Sequence, residues 1–469
     1  MQLPNLVEAR KRTNNKVKEI RYHLNDEYKN IGIGKTYYVK TYGCQMNEHD
    51  SENICGLLES IGFTKSQDME QSDLIILNTC SIRENAHNKA FGMLGRLKHL
   101  KEDKKSLMIG LCGCMAQEEV VVDEILKKNH FVNFVFGTHN LYDLPRMIYE
   151  NTKKTNVCVY SHEGDVIEDL PVKRVNNFKA YVNIIYGCDK FCTYCIVPYT
   201  RGKQRSRKME NILKEVEELN KNGYQEVTLL GQNVNAYGKD LDEGYDLADL
   251  LIKVSETKIP RVRFITSHPW DFTDKMINAI RDYPNIMPYV HLPLQSGSDK
   301  ILKLMGRRYN SSEYKKLFDK LKMIPNISIT TDIIVGFPGE TEEDFQETLE
   351  MVKYCKYDSA FTFIYSPRVG TPAVKLMEND RTTIEEKESR LYRLNDLINN
   401  YSLESNRKLL NTNQKVLVEG FSSKENELFG YTETNKLINF KGNETLIGKI
   451  INIKVTDAKS FSLDGEIIE

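Results

Sequence analysis

Cys188, Cys192 and Cys195 stand in C-x3-C-x2-C spacing within the run GCDKFCTYCIVPYTRG. Three thiolates at such spacing can each take one iron of a [4Fe-4S] cube, which a fourth cysteine normally completes. No fourth cysteine is close, since Cys158 and Cys355 are distant in sequence. One iron is therefore expected to stay open to a substrate or cofactor. The competing use of these residues is a structural zinc site, which more often uses C-x2-C pairs and needs a closed fourth ligand.

A second set is spread along the first quarter of the chain. Cys44, Cys80 and Cys114 fall 36 and 34 residues apart, after the runs YYVKTY, DLIILNT and SLMIGLCG. In a parallel sheet the crossovers return every strand in one direction, so the three cysteines should converge on one edge. Buried cysteines often serve as small hydrophobes, but three at equivalent strand ends point to a second three-cysteine cluster with one open iron. Cys112 could compete with Cys114; the match of Gly113-Cys114 to Gly43-Cys44 favours Cys114. Cys55, Cys112, Cys158 and Cys355 are read as packing residues.

The elements that must position these cysteines can be read from patterning. The 469 residues suggest about three domains. The 40% apolar and 28% charged fractions are those of an ordinary globular protein. With 65 Lys+Arg against 66 Asp+Glu, the chain is not a globally basic nucleic-acid binder, so RNA contact must come from local patches. No apolar run approaches the roughly 18 residues of a membrane span. The polar N-terminus lacks a secretory signal, so a cytoplasmic location is expected, where ten cysteines serve metal or chemistry rather than disulfides.

Residues 1–34 read as a polar extension, with weak helical periodicity between Val7 and Tyr28. Residues 35–152 alternate strand and helix, as a Rossmann or flavodoxin-like parallel sheet should. Residues 153–175 read as a linker with at most one edge strand. From 176 to 404, six βα units begin at AYVNIIYG and end at SAFTFIYS. They are too few to close an eight-stranded barrel, so an open, partial (β/α)6 barrel is expected. Residues 405–469 hold short β runs with Gly, Asn and Asp turns, the pattern of a small antiparallel β-barrel. The fold class is α/β.

The cluster loop, with Tyr194 before its last cysteine, resembles that of the radical S-adenosylmethionine (SAM) enzymes. TYGCQMN, DLIILNTCSIRENA and LCGCMAQ resemble the N-terminal domain of the methylthiotransferases. With the cluster loop and a TRAM-like terminal barrel, the likeness runs from about residue 35 to 469. TYGCQMN and NTCSIRENA look like the branch acting on N6-isopentenyladenosine at position 37 of tRNA. The branches acting on a ribosomal-protein aspartate or on threonylcarbamoyl-adenosine typically read SLGC or TLGCKVN.

The resemblance implies two [4Fe-4S] clusters, SAM, a tRNA anticodon loop as substrate, and a one-electron donor of flavodoxin or ferredoxin type. One SAM would methylate sulfur held on the N-terminal cluster. A second would be cleaved at Cys188, Cys192 and Cys195 to a radical that takes hydrogen from C2 of the adenine. That carbon has no leaving group and is not acidic, which is a chemical reason for a radical. A monomer is expected. The rival readings are a methylthiotransferase with another target and a non-catalytic, zinc-stabilised RNA-binding protein.

Strand-end position makes Gln232, Asn233, Gln295 and Ser296 candidate hydrogen-bond partners for SAM, with Asp332 for a ribose hydroxyl and Tyr194, Ile334 and Gly336 beside the cofactor. Loop-start caps are the ordinary alternative for the polar ones. Arg201, Lys203, Arg205, Arg207 and Lys208 in RGKQRSRK are read as phosphate ligands. In the last domain Phe421, Phe429, Tyr431 and Phe440, with Lys424, Lys436 and Lys441, have the mix of an RNA-binding barrel. Two of the four rings are expected in its core.

Overall fold

The computed structural model describes residues 10–11, 16–81, 84–151, 157–159, 161, 163–424 and 426–468. Its N-terminal sheet has six parallel strands in the order Thr64–Lys65, Thr36–Thr41, Leu74–Thr79, Met108–Gly113, Phe134–Phe136 and Val157–Val159. Every residue of the central strand Leu74–Thr79 is buried, because helices cover both faces. Leu74 and Ile76 pack with Ile54, Leu57 and Leu58 of the helix Gln45–Ser60. Ile75 and Leu77 point the other way, onto Leu94 and Leu97 of Glu84–Asp103 and Val122 and Ile125 of Glu119–Lys128. This is the two-residue alternation of a strand placed between two apolar layers.

Six further parallel strands follow in chain order: Lys179–Asn183, Glu226–Leu230, Arg261–Phe264, Tyr289–His291, Ser328–Val335 and Ser359–Ile364. They hydrogen-bond in two sets of three, joined by a bridge between Val262 and Ile286. Capping boxes start three of the covering helices at Asp246, Asn310 and Thr341.

The last unit is a closed barrel of five strands, Asn413–Phe421, Glu427–Thr432, Leu437–Lys441, Ile450–Ala458 and Leu463–Ile467. It is not wholly antiparallel, as the pattern suggests: Leu437–Lys441 and Leu463–Ile467 pair in parallel to close it. It docks on the N-terminal ends of the central strands. Glu226 accepts from Arg263 Nε at 2.8 Å, and Arg263 and Arg261 donate to the barrel carbonyls of Thr432, Glu433, Tyr431 and Lys415. Lys179 reaches Glu419 at 2.9 Å.

Within the arm Arg10 and Lys11 are helical as expected, whereas residues 16–25 form no helix and Asp26–Tyr28 is a single 3-10 turn. Glu19–Arg21 is a strand pairing in parallel with Val166–Glu168, and Val157–Val159 extends the first sheet, so the stretch 153–175 carries two strands rather than at most one. Residues 1–9 and 12–15 lie outside the described residues. Among the described residues no helix is long and apolar enough to cross a membrane.

Candidate iron–sulfur and cofactor site

The loop carrying Cys188, Cys192 and Cys195 leaves the C-terminal end of the first central strand. The short antiparallel pair Ile185–Tyr186 and Arg205–Ser206 pinches its two ends together. Gly187 has φ +71°, and a Cβ there would stand 2.1 Å from the Lys203 carbonyl oxygen, so only glycine turns the chain here. Gly187 N–H donates to Gln232 Oε1, Cys188 N–H to Gly202 O at 3.2 Å, and Thr193 N–H to Met305 O at 2.9 Å. The loop is thus tied to the turn after Glu226–Leu230, to its own outgoing limb and to the C-terminal end of the helix Asp299–Leu304.

Burial and the neighbouring Cys195 and Cys192 push the Cys188 thiol well up, and burial with Cys192 raises Cys195 to about 12. Burial thus favours neutral thiols at Cys188 and Cys195, so a metal bound there would have to supply the positive charge that holds them as thiolates. Arg307 Nη1 lies 3.6 Å from Cys192 Sγ and donates Nη2 to Pro293 O. In a [4Fe-4S] cube each thiolate takes its own iron.

The first sheet brings the other set together. Cys44 caps the helix Gln45–Ser60 without a side-chain cap bond, Cys80 follows Leu74–Thr79, and Cys114 follows Met108–Gly113. These strands are adjacent in the sheet. The Cys80 thiol hydrogen bond lowers Cys44, with burial opposing and Arg201 and the N–H groups of Asn47 and Met46 assisting, to about 6. Burial raises Cys114 against the pull of Arg201. Cys112 instead packs in the core with Ile76 and Phe136, and Cys55 packs in that same cluster. Cys355 lies in the central core. The side chain of Cys158 lies outside the described residues.

The segments that carry the two cysteine sets touch across the domain boundary. Arg201, six residues beyond Cys195, donates Nε to Cys114 Sγ at 3.1 Å and Nη2 to Asp50 at 2.6 Å. Arg368, after the last central strand, donates to the carbonyl of Ser81 beside Cys80 at 2.9 Å. Sequence reasoning missed this bridge, because Asp50 and Arg201 are 151 residues apart.

The phosphate-ligand expectation for the arginines of RGKQRSRK is corrected. Arg201, Arg205 and Arg207 are buried. Arg205 donates to the carbonyls of Arg201 and Lys203, and Arg207 forks onto Glu168 at 2.8 and 2.7 Å and reaches Glu215. Their carboxylate and carbonyl partners hold them inside. Lys203 is half-buried, and Lys208 is half-exposed beside Glu19. Lys436 is also a strut rather than a surface cation: its ammonium meets Ser405, Asn406 and Asp358 between the barrel and the central domain. Of the four rings Phe440 alone is buried; Phe429 and Tyr431 are half-buried, Tyr431 against Lys179, and Phe421 is exposed, so one ring rather than two lies in the barrel core.

Among the SAM candidates, Tyr194 and Ile334 pack in one apolar group with Met305 and Phe337. Gln295 has φ +69° and ties its backbone to Asp332 and Ile334. Asp332 lies 3.2 Å from His291 Nε2. Ser296 is fully buried and accepts from Ser298 N–H, a cap rather than a ligand donor. Gly336 donates to Glu340 at φ +66°, which is a turn requirement. Asn233 gives Nδ2 to Asp271 at 2.8 Å. Its Oδ1, and Ser267 Oγ on the next strand end, are buried without a partner. Such orphaned atoms await polar groups of a ligand, so the residues present fit SAM beside the loop.

This arrangement is that of the radical SAM superfamily, whose model matches residues 182–352; residues 36–137 match the uncharacterized protein family UPF0004, and 407–468 match the TRAM domain. Membership brings a [4Fe-4S] cluster and SAM. Over its full length the chain is 51% identical to a protein of Staphylococcus epidermidis and 52% to one of Bacillus cytotoxicus, covering 92% and 93% of them. Both are curated as tRNA-2-methylthio-N(6)-dimethylallyladenosine synthase. The chain belongs to this family of radical SAM methylthiotransferases. In fold it is similar to the radical SAM methyltransferase TsrM of Kitasatospora setae, with TM-score 0.54 at 12% identity over 72% of this chain and 75% of that one.

Proposed function

We propose that the chain places a methylthio group on C2 of N6-isopentenyladenosine at position 37 of tRNA, with a second [4Fe-4S] cluster on Cys44, Cys80 and Cys114. The observation that carries this is the contact between the two cysteine-bearing segments across one boundary, with Arg201 beyond the cluster loop on Cys114. Full-length identity to the curated synthases supports the substrate.

When bound, SAM and the two clusters supply a hydrogen-abstracting radical and a methylated sulfur. The chain's own residues do the rest. The pinch at Gly187 and the Thr193 bonds hold the loop, Arg307 offsets charge on Cys192, and Asn233 and Ser267 present polar atoms toward the cofactor. Arg201 holds the sulfur-bearing edge against the radical-forming loop. The enzyme works as a cytoplasmic monomer served by a flavodoxin- or ferredoxin-type donor.

Anaerobic reconstitution tests the cluster count: about eight irons per chain support two cubes, and about four remove the second. Nucleoside mass analysis of tRNA from a strain lacking the protein tests the substrate. Loss of the methylthio group from isopentenyladenosine supports the reading, and loss from threonylcarbamoyl-adenosine overturns it.

A further inference from the structure

With Arg201, Arg205 and Arg207 turned inward, the cations that meet RNA at the mouth of the central domain must come from elsewhere. Trp270, the only tryptophan of the chain, is 44% exposed on the loop after the strand Arg261–Phe264. The Lys190 ammonium lies 4.2 Å from its ring centroid and the Arg308 guanidinium carbon 4.9 Å.

Lys190 sits between Cys188 and Cys192, and its ammonium is anchored 2.8 Å from Asp271 Oδ1. Asp271 also takes Lys239 at 2.6 Å and Asn233 Nδ2 at 2.8 Å. The indole is therefore held one side chain away from the cluster loop, on the face where the strands end. Arg308 is exposed and has no carboxylate partner among the described residues. A cleft of about 310 Å³ opens beside the pair, lined also by Phe272, Tyr309, Leu317 and Lys316.

An exposed indole with an unpaired guanidinium laid on it matches a nucleotide: a base stacks on the ring system and its phosphate meets the cation. We infer that Trp270, Arg308 and Lys190 form the seat for a nucleotide flanking the modified adenosine of the RNA. The target base must reach the cluster loop, and its neighbour then falls on the adjacent lip. This inference rests on the RNA reading above and adds the contact that reading lacked.

Because Trp270 is unique, its fluorescence reports the site directly. An anticodon stem-loop carrying isopentenyladenosine is titrated into the reconstituted full chain, and binding is followed independently by anisotropy of the labelled RNA. Tryptophan quenching should saturate together with the anisotropy. Trp270→Ala should weaken binding about tenfold, Trp270→Phe should restore most of it, and Arg308→Gln should lower the salt slope by about one. RNA that binds by anisotropy with the indole signal and the Trp270→Ala affinity unchanged overturns the seat alone. RNA that does not bind at all overturns the RNA reading with it.

Discussion

Arg201 Nη2 stands 2.6 Å from Asp50 Oδ2, and the two residues belong to different domains. Both are buried, with side chains 6% and 5% exposed. A pair so enclosed contributes little over an apolar substitute, but breaking it strands a charge in the interior. Since Arg201 also donates to Cys114, one guanidinium couples domain packing to the sulfur-bearing edge.

Arg201→Gln is therefore expected to destabilise the chain by about 3 kcal/mol or more through the unpaired Asp50, read by thermal unfolding. Adding Asp50→Asn should recover part of the loss. In the reconstituted protein the electron paramagnetic resonance signal of the N-terminal cluster should change, while that of the loop cluster stays as it was. An unaltered N-terminal signal would remove the Cys114 contact from the account.

Cys192→Ala should abolish SAM cleavage, because the loop set loses a ligand. Cys80→Ala should leave deoxyadenosine formation intact and stop methylthio transfer, since only the sheet-edge set is broken. Methylthiolated product from Cys80→Ala would refute the second cluster.

Asp271 offers a pH test. Burial raises its carboxyl, but hydrogen bonds from Lys190, Lys239 and Asn233 outweigh burial and bring it from 3.8 to about 2. A depressed carboxyl stabilises the fold above its unfolded value, and the gain fades as pH falls through the folded one. Asp271→Asn should cost about 2 kcal/mol at neutral pH. In urea unfolding the gap to the parent should narrow from about pH 4 toward pH 2. A gap independent of pH would show that the loss is not electrostatic.

Glu226 is buried at the seam with the terminal barrel, where it faces Arg263 at 2.8 Å, Lys179 at 3.7 Å and Arg261 at 4.0 Å. Glu226→Gln leaves these cations short of a counter-charge and should cost about 3 kcal/mol. Limited proteolysis should then release the barrel near residue 411, where the chain enters it. Resistance equal to the parent would count against the ionic seam.

The cysteine-bearing strand ends were legible because DLIILNT has an uninterrupted apolar centre, LIIL, as a strand buried on both faces should. The C-x3-C-x2-C loop was legible from spacing alone. The fate of RGKQRSRK was not: a basic run reads as surface until its partners are known, and Asp50, Glu168 and Glu215 lie 151, 39 and 8 residues from the arginines they hold. The arm strand Glu19–Arg21 was hidden for the same reason, since its order comes from Val166–Glu168 far along the chain. Lys436 misled through composition, because three polar groups pull a lysine into a seam that its neighbours in sequence do not announce.

The terminal barrel and the cysteine loop occupy opposite ends of the same strands: Lys179 and Arg261 begin strands that meet the barrel, and Asn183 ends the first just before the loop. The four steps from Lys179 to Asn183 separate those ends by about 13 Å, and the loop and barrel add to that span. A ligand that touches both the cysteine loop and the barrel must therefore span at least the length of those strands.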